Sequence, residues 1–309
     1  MKKTILYYFL ITIIAAFALI INGCKKENSS STNLSPQQEE EIASISAQSQ
    51  TETELASNDV FNNIIGANND VGLAGIGVFG RTHSTSSGED GRDYGLDSIT
   101  CFSVTITHLT SDSFPVKIVL DFGSGCLGKD GHMRYGKIIT EYSGRLILPG
   151  KTSTTTFDGY KIDSFSIEGT YSITNTSSGG LRQFTVDISN GKISKPSGDY
   201  IQWEDHRVIT QIEGTATPDW PIDDALSIEG SSHSKVKRGN NLYAFATEIT
   251  DPLIKKFTCA WIIKGVLKAR RETSSSNTQW AAILDYGSGT CDNKATVTIN
   301  GISHQITLH

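Results

Sequence analysis

Two short stretches carry the residue types best suited to chemistry. Leu120-Asp121-Phe122-Gly123-Ser124-Gly125-Cys126 returns as Leu284-Asp285-Tyr286-Gly287-Ser288-Gly289-Thr290-Cys291. In each, a carboxylate precedes a glycine turn and a cysteine. Asp121 and Asp285, joined by Asp130 and Asp292 from the loops that follow, are candidate ligands for Ca²⁺, which takes hard oxygen donors clustered in loops. No Asp-x-Asp-x-Asp-Gly loop is present. An aspartate beside a glycine turn is equally suited to accepting backbone N–H bonds in an Asx turn, and that is the preferred reading. Paired carboxylates also raise a glycan-directed envelope hydrolase as the alternative function, which needs two carboxyl groups about 5–10 Å apart. No catalytic residue is assigned.

The remaining constellations are weaker. His83, His132, His206, His233 and His304 show no His-x-His or His-x-x-x-His spacing. Gly123-Ser124-Gly125 lacks the outer glycines of a nucleophile elbow, and there is no phosphate loop or dinucleotide fingerprint. Glu89-Asp90-Gly91-Arg92-Asp93 reads as a solvated loop. Trp203, Trp220, Trp261 and Trp280, with Tyr200 and Tyr243, would make a sugar-stacking platform if they shared an exposed face, but such aromatics more often fill a β core.

Cysteines place the chain. Cys101 opens the apolar run Phe102–Ile106 and Cys259 opens Ala260–Ile263, so each doubled stretch ends a unit of cysteine, strand, loop, strand, cysteine. Four cysteines allow three connectivities, and the repeat selects Cys101–Cys126 and Cys259–Cys291. A metal site would need closer clusters such as Cys-x-x-Cys, and none exists. Facing cysteines put the two turns near Ser111–Phe114 and near Ser274–Ser276, both turn-like. The second copy has one extra residue, Thr290; an odd insertion would flip every side chain, so a β-bulge near Gly287–Thr290 is expected.

The fifth cysteine follows Lys2-Lys3 and the apolar run Ile5–Ile21. Ile21-Asn22-Gly23-Cys24 resembles a bacterial lipobox. The resemblance implies removal of residues 1–23, acylation (palmitate among the chains) at Cys24, and a membrane anchor built from several chains. The formal charge is −6, and residues 1–23 hold two lysines and no acid, so the processed chain carries −8. That balance excludes a nucleic-acid partner, which demands a basic surface.

Residues 24–35 read as a flexible polar tether. Residues 36–70 form a helical segment: Ser35 suits an N-cap, Pro36 the first turn, and Glu39–Glu41 the positive end of the dipole. A weakly amphipathic helix is expected to about Ala47, then a second piece around Leu55, Val60, Phe61, Ile64 and Ile65. Residues 71–99 are a Gly-rich loop with a short strand near Ile76–Phe79. From 100 to 309 apolar residues alternate with Thr, Ser and charge between turn signals such as Asp130-Gly131, Asn190-Gly191 and Asn300-Gly301. The expected fold is all-β: an antiparallel meander forming a strongly curved sheet or a sandwich, with a short N-terminal helical segment. The pattern apolar-x-Gly recurs at Gly144, Gly169, Gly214, Gly230, Gly265 and Gly301, and glycines inside strands mark bends or bulges.

The run Asp121-Phe122-Gly123-Ser124-Gly125-Cys126…Asp130-Gly131…Arg134…Gly136-Lys137-Ile138, and Asp285 to Gly301 at the other end, resemble motifs of uncharacterised lipoproteins of Bacteroidetes-type bacteria. The resemblance implies a lipid-anchored protein of the cell envelope, in the outer membrane, and implies no activity. The resulting expectation is a non-catalytic lipoprotein that binds a ligand or partner, protein or glycan, through a β face.

Overall fold

The computed structural model describes residues 35–67, 71–72, 101–128, 130–217, 223–272 and 282–308. The expected signal peptide, Cys24, all but Ser35 of the expected tether, most of the expected Gly-rich loop, Glu89–Asp93, His83, Trp220, Trp280 and the expected turn at Ser274–Ser276 lie outside them.

Residues Pro36–Ile65 form one helix, α1, of 30 residues. The sequence pointed to two pieces, but no Gly or Pro interrupts Gln37–Ile65, and the polar middle Thr51–Glu54 is buried. The Tyr142 hydroxyl donates to the Ile64 carbonyl at 2.9 Å, meeting one of the acceptors a helix C-terminus leaves open.

The strands are β1 (Ser103–His108), β2 (Val116–Asp121), β3 (Cys126–Leu127), β4 (Met133–Tyr142), β5 (Thr152–Ile162), β6 (Phe165–Asn175) and β7 (Gln183–Ser194), followed by β8 (Tyr200–Glu213), β9 (Ala225–Arg238), β10 (Asn241–Lys256), β11 (Ile262–Arg271), β12 (Ala282–Ser288), β13 (Lys294–Ile299) and β14 (Ile302–Thr307). They form one 14-stranded antiparallel sheet in chain order, with β3 alone off the path beside β4. A single sheet replaces the sandwich alternative. It curves around α1, which bonds to side chains of β4, β5, β8 and β9 and to Lys195 just past β7. Burial alternates along the strands, as in β2 and β13, so one face meets the helix and the other meets water.

The curvature has a visible cause. Register shifts fall between Tyr135 and Lys137, Glu168 and Thr170, Ile188 and Gly191, and Lys264 and Val266, so a glycine (136, 169, 191 and 265) sits at or beside a bulge in β4, β6, β7 and β11. At Gly169 (φ +119°) an added Cβ would stand 2.8 Å from the Gly191 Cα. Only glycine lets the two backbones approach so closely, and bulges with glycine kinks bend a sheet sharply. Two of the recurring apolar-x-Gly positions, Gly169 and Gly265, are bulges of this kind, whereas Gly144, Gly214 and Gly301 lie outside the strands, where the chain turns between them.

Both expected bridges are present, Cys101–Cys126 and Cys259–Cys291. Their hairpins are not paired cysteine to cysteine, however. Ser103 pairs with Asp121 rather than Ser124, and Gly123 and Gly125, at φ +55° and +147°, take up the slack. In the second hairpin Val266 pairs with Asp285 and Lys264 with Ser288, which places the expected bulge at Tyr286–Gly287.

The path through the sheet holds thirteen strands once β3 is set aside. Every neighbouring pair is antiparallel, so β1 and β14 run the same way. Antiparallel closure is then impossible, and among the described residues β1 and β14 do not pair in parallel either, so the wrap is open at these two edges.

Candidate functional site

The aspartates singled out from sequence are turn-formers. Asp121 Oδ1 accepts from the Gly123 N–H at 2.9 Å, Asp285 Oδ1 from Gly287 at 2.8 Å, Asp130 Oδ1 from His132 at 3.2 Å and Asp292 Oδ1 from Lys294 at 3.0 Å. Each is an Asx turn. The structure does not gather them: among the described residues no three His, Cys, Asp or Glu side chains are placed to share a metal ion. The histidines stand singly beside acids, His132 with Asp163 at 2.9 Å, His206 with Asp187 at 2.6 Å, His233 with Glu272 at 2.5 Å and His304 with Glu40 at 3.3 Å. Trp203 is buried edge-on against Tyr171, Tyr200 lies under the Lys237 ammonium, and Tyr243 stacks on Phe245. These aromatics pack the sheet and make no shared platform.

Sequence reasoning missed the interior around α1. Arg134, wholly buried, donates from Nε to Asp59 Oδ1 at 3.0 Å and from Nη1 to Asp130 Oδ1 at 2.9 Å. The Tyr160 hydroxyl donates to the other Asp59 oxygen. Asp130 thus serves the interior as well as its own turn, and the Arg134 guanidinium holds its carboxyl below the usual range even though burial works the other way. One turn earlier, Arg207 binds Glu54 through two bonds of 2.7 Å and pairs with Asp205 at 2.6 Å; burial nonetheless pushes the Asp205 carboxyl up. Glu52 meets Lys195 at 2.5 Å and Arg238 at 3.3 Å. Lys255 donates to the Cys259 carbonyl at 2.5 Å, and burial lowers its ammonium to about 7. Burial also raises the Tyr160, Tyr171 and Tyr286 hydroxyls well above the ordinary phenol value.

A readable signal existed. Along β8 the buried positions are Ile201, Trp203, Asp205, Arg207, Ile209 and Gln211, so Asp205 and Arg207 share the parity of the apolar residues. Charges on the apolar parity of a strand point inward, and a buried charge needs a partner. The acids of Thr51-Glu52-Thr53-Glu54 are that partner.

The wrap leaves one stripe of α1 in water. Glu41, Ser44 and Gln48 are exposed, and Leu55, Asn58 and Asn62 are half-exposed, a spacing of three to seven residues along one helix face. Beside this stripe, α1 and the last hairpin enclose a groove of about 390 Å³. Its floor is Ala47, Val297, Ile299 and Ile306; its polar margin is Glu40, Ser44, Gln48, Thr51, His304 and Thr307. The hairpin is held open by its two-residue turn Asn300-Gly301, with φ +50° and +82°, as a type I′ turn requires. Asn300 Nδ2 donates to Glu39 Oε2 at 3.1 Å, fixing the turn to the start of α1. The arrangement offers an apolar floor and a hydrogen-bonding rim, with no nucleophile paired to a base.

No family model matches this chain, and neither the curated proteins nor the solved structures searched contain a significant match.

Proposed function

We propose that this chain is a non-catalytic lipoprotein of the cell envelope, anchored through Cys24, that binds a small amphiphile in the groove between α1 and the β13–β14 hairpin. The observation that carries the binding part is the groove itself, of a volume ordinary for ligand sites. An apolar body suits Val297, Ile299 and Ile306, and a hydroxyl-bearing head suits the Glu40–His304 pair. A glycan-bearing lipid or an alkyl glycoside has that division. The interior carboxylates of Glu52, Glu54 and Asp59 are each engaged by a cation, so none of these three is free to serve as the acid of the hydrolase alternative.

Octyl glucoside below its micellar concentration is a suitable probe. At tenfold excess over its dissociation constant it should stabilise the protein by about 1.4 kcal/mol. Ala47→Trp fills the floor and should remove the rise in melting temperature without unfolding the chain. An equal rise in both proteins would contradict the groove as the site. The anchor is tested separately: Cys24→Ala should abolish labelling by a palmitate analogue, and normal labelling would overturn it.

A further inference from the structure

Among the described residues β1 and β14 each have one neighbouring strand, and these two edges differ in what they offer a partner. The Leu109 N–H bonds to the Pro115 carbonyl, and hydrogen-bonded pairs alternate along an antiparallel ladder. The backbone groups of Thr105 and Thr107 therefore face β2, and those of Val104, Ile106 and His108 face outward. The same reasoning from the Leu308 N–H to Asn293 carbonyl bond turns Ser303, Gln305 and Thr307 outward on β14.

Side-chain direction separates them. Val104, Ile106 and His108 pair with Leu120, Ile118 and Val116, all buried, so they stand on the concave face. Ile106 is nevertheless 46% exposed. On β14 the outward residues are all polar, and the strand partners Thr298, Thr296 and Lys294 put them on the convex face. Natural edges are blunted with lysine, proline or a bulge; β1 has none of these, and its register with β2 is unbroken.

We propose that β1 is the interface of a two-fold dimer, in which two copies pair antiparallel with Ile106 opposite Ile106. The row is self-complementary: the outward groups of Val104 meet those of His108 in the partner, and Ile106 meets itself. The exposed isoleucines come together on the concave face, and no lysine, arginine or acid opposes its like. Pairing β1 with the β14 edge of another copy instead would join a concave face to a convex one. It would also propagate into an open chain, as heterologous contacts that do not close do.

The register makes a sharp test with the full-length chain in detergent. The non-hydrogen-bonded pair is Thr105 with Thr107 of the second copy, the closer kind of pair. Mixing the Thr105→Cys chain with the Thr107→Cys chain under mild oxidation should give a disulfide joining positions 105 and 107 of two copies, found by peptide mapping. Neither variant should link to itself through these positions. Ile106→Lys should cut the cross-link at least tenfold with an unchanged melting temperature; Ile106→Pro, which deletes only an outward N–H, should act likewise if the lysine variant folds poorly. Gln305→Lys, on the other edge, should leave cross-linking intact. Linkage of position 105 to 105, retention of the cross-link in both Ile106 variants, its loss in Gln305→Lys, or its absence throughout would overturn the proposal.

Discussion

The two halves of α1 are held by different physics. From Ala56 to Ile65 the helix buries Val60, Phe61, Ile64 and Ile65, with the Phe61 ring edge-on to Phe184 at 6.0 Å, and carries one ionic contact, Asp59 to Arg134. Around Gln50–Glu54 it buries no large apolar side chain. There Gln50 Nε2 bonds Glu54 Oε1 at 2.9 Å while Glu52 and Glu54 meet lysine and arginine from the sheet. Apolar burial is undirected and tolerates rearrangement. Buried ions have one partner geometry each, and breaking it is costly even where forming it gains little. The apolar side chains of Ala56–Ile65 therefore supply most of the attraction, and the buried ions at Glu52, Glu54 and Asp59 fix how α1 is rotated and shifted inside the sheet.

The comparison can be broken at several points. Arg134→Met leaves Asp59 and Asp130 without their cation and should cost about 3–5 kcal/mol in urea unfolding; Asp59→Leu combined with it should recover much of that loss. Ile64→Ala, in the apolar half, should cost about 2–4 kcal/mol, from lost burial plus the cavity, and no second substitution near it should restore the difference.

Lys255 sharpens the contrast through pH. Its folded ammonium titrates near 7 because it is buried, against about 10.4 in the unfolded chain. Between those values the unfolded state binds more protons, so stability should rise with pH, by on the order of 1 kcal/mol per unit. Below 7 both states are protonated and the burial penalty is present in full. Lys255→Met should therefore be more stable than the parent at pH 6, with the gap narrowing toward pH 10. A parallel pair of melting curves would contradict it. The smallest effect belongs to the surface: Asp121→Asn should cost about 0.5–1 kcal/mol by weakening the Asx turn at Gly123, and the loss should be the same with and without Ca²⁺.

What was legible in the sequence follows the same division. Period-two alternation, turn dipeptides and the recurring glycines announce an antiparallel meander that bends, and the doubled hairpin announces both disulfides. The Asx turns were legible because Asp121 and Gly123 are two residues apart. The ionic interior was not, because its partners lie far apart in the chain: Asp59 meets Arg134 across 75 residues and Glu52 meets Arg238 across 186. A polar helix also reads as a solvated one until a sheet with inward cations is folded around it. The groove was illegible for a related reason, since it exists only where the first element of the fold meets the last hairpin.

Hydrogen exchange along α1 tests the central claim, that a polar helix forms the core of the wrap, most directly. If the ion pairs hold it as described, the amides of Thr51–Glu54 should be protected as strongly as those of Val60–Ile65, and both should open with global unfolding. Rapid exchange at Thr51–Glu54 beside slow exchange at Val60–Ile65 would contradict it, because the polar half would then be a loosely attached strand of helix and not part of the core.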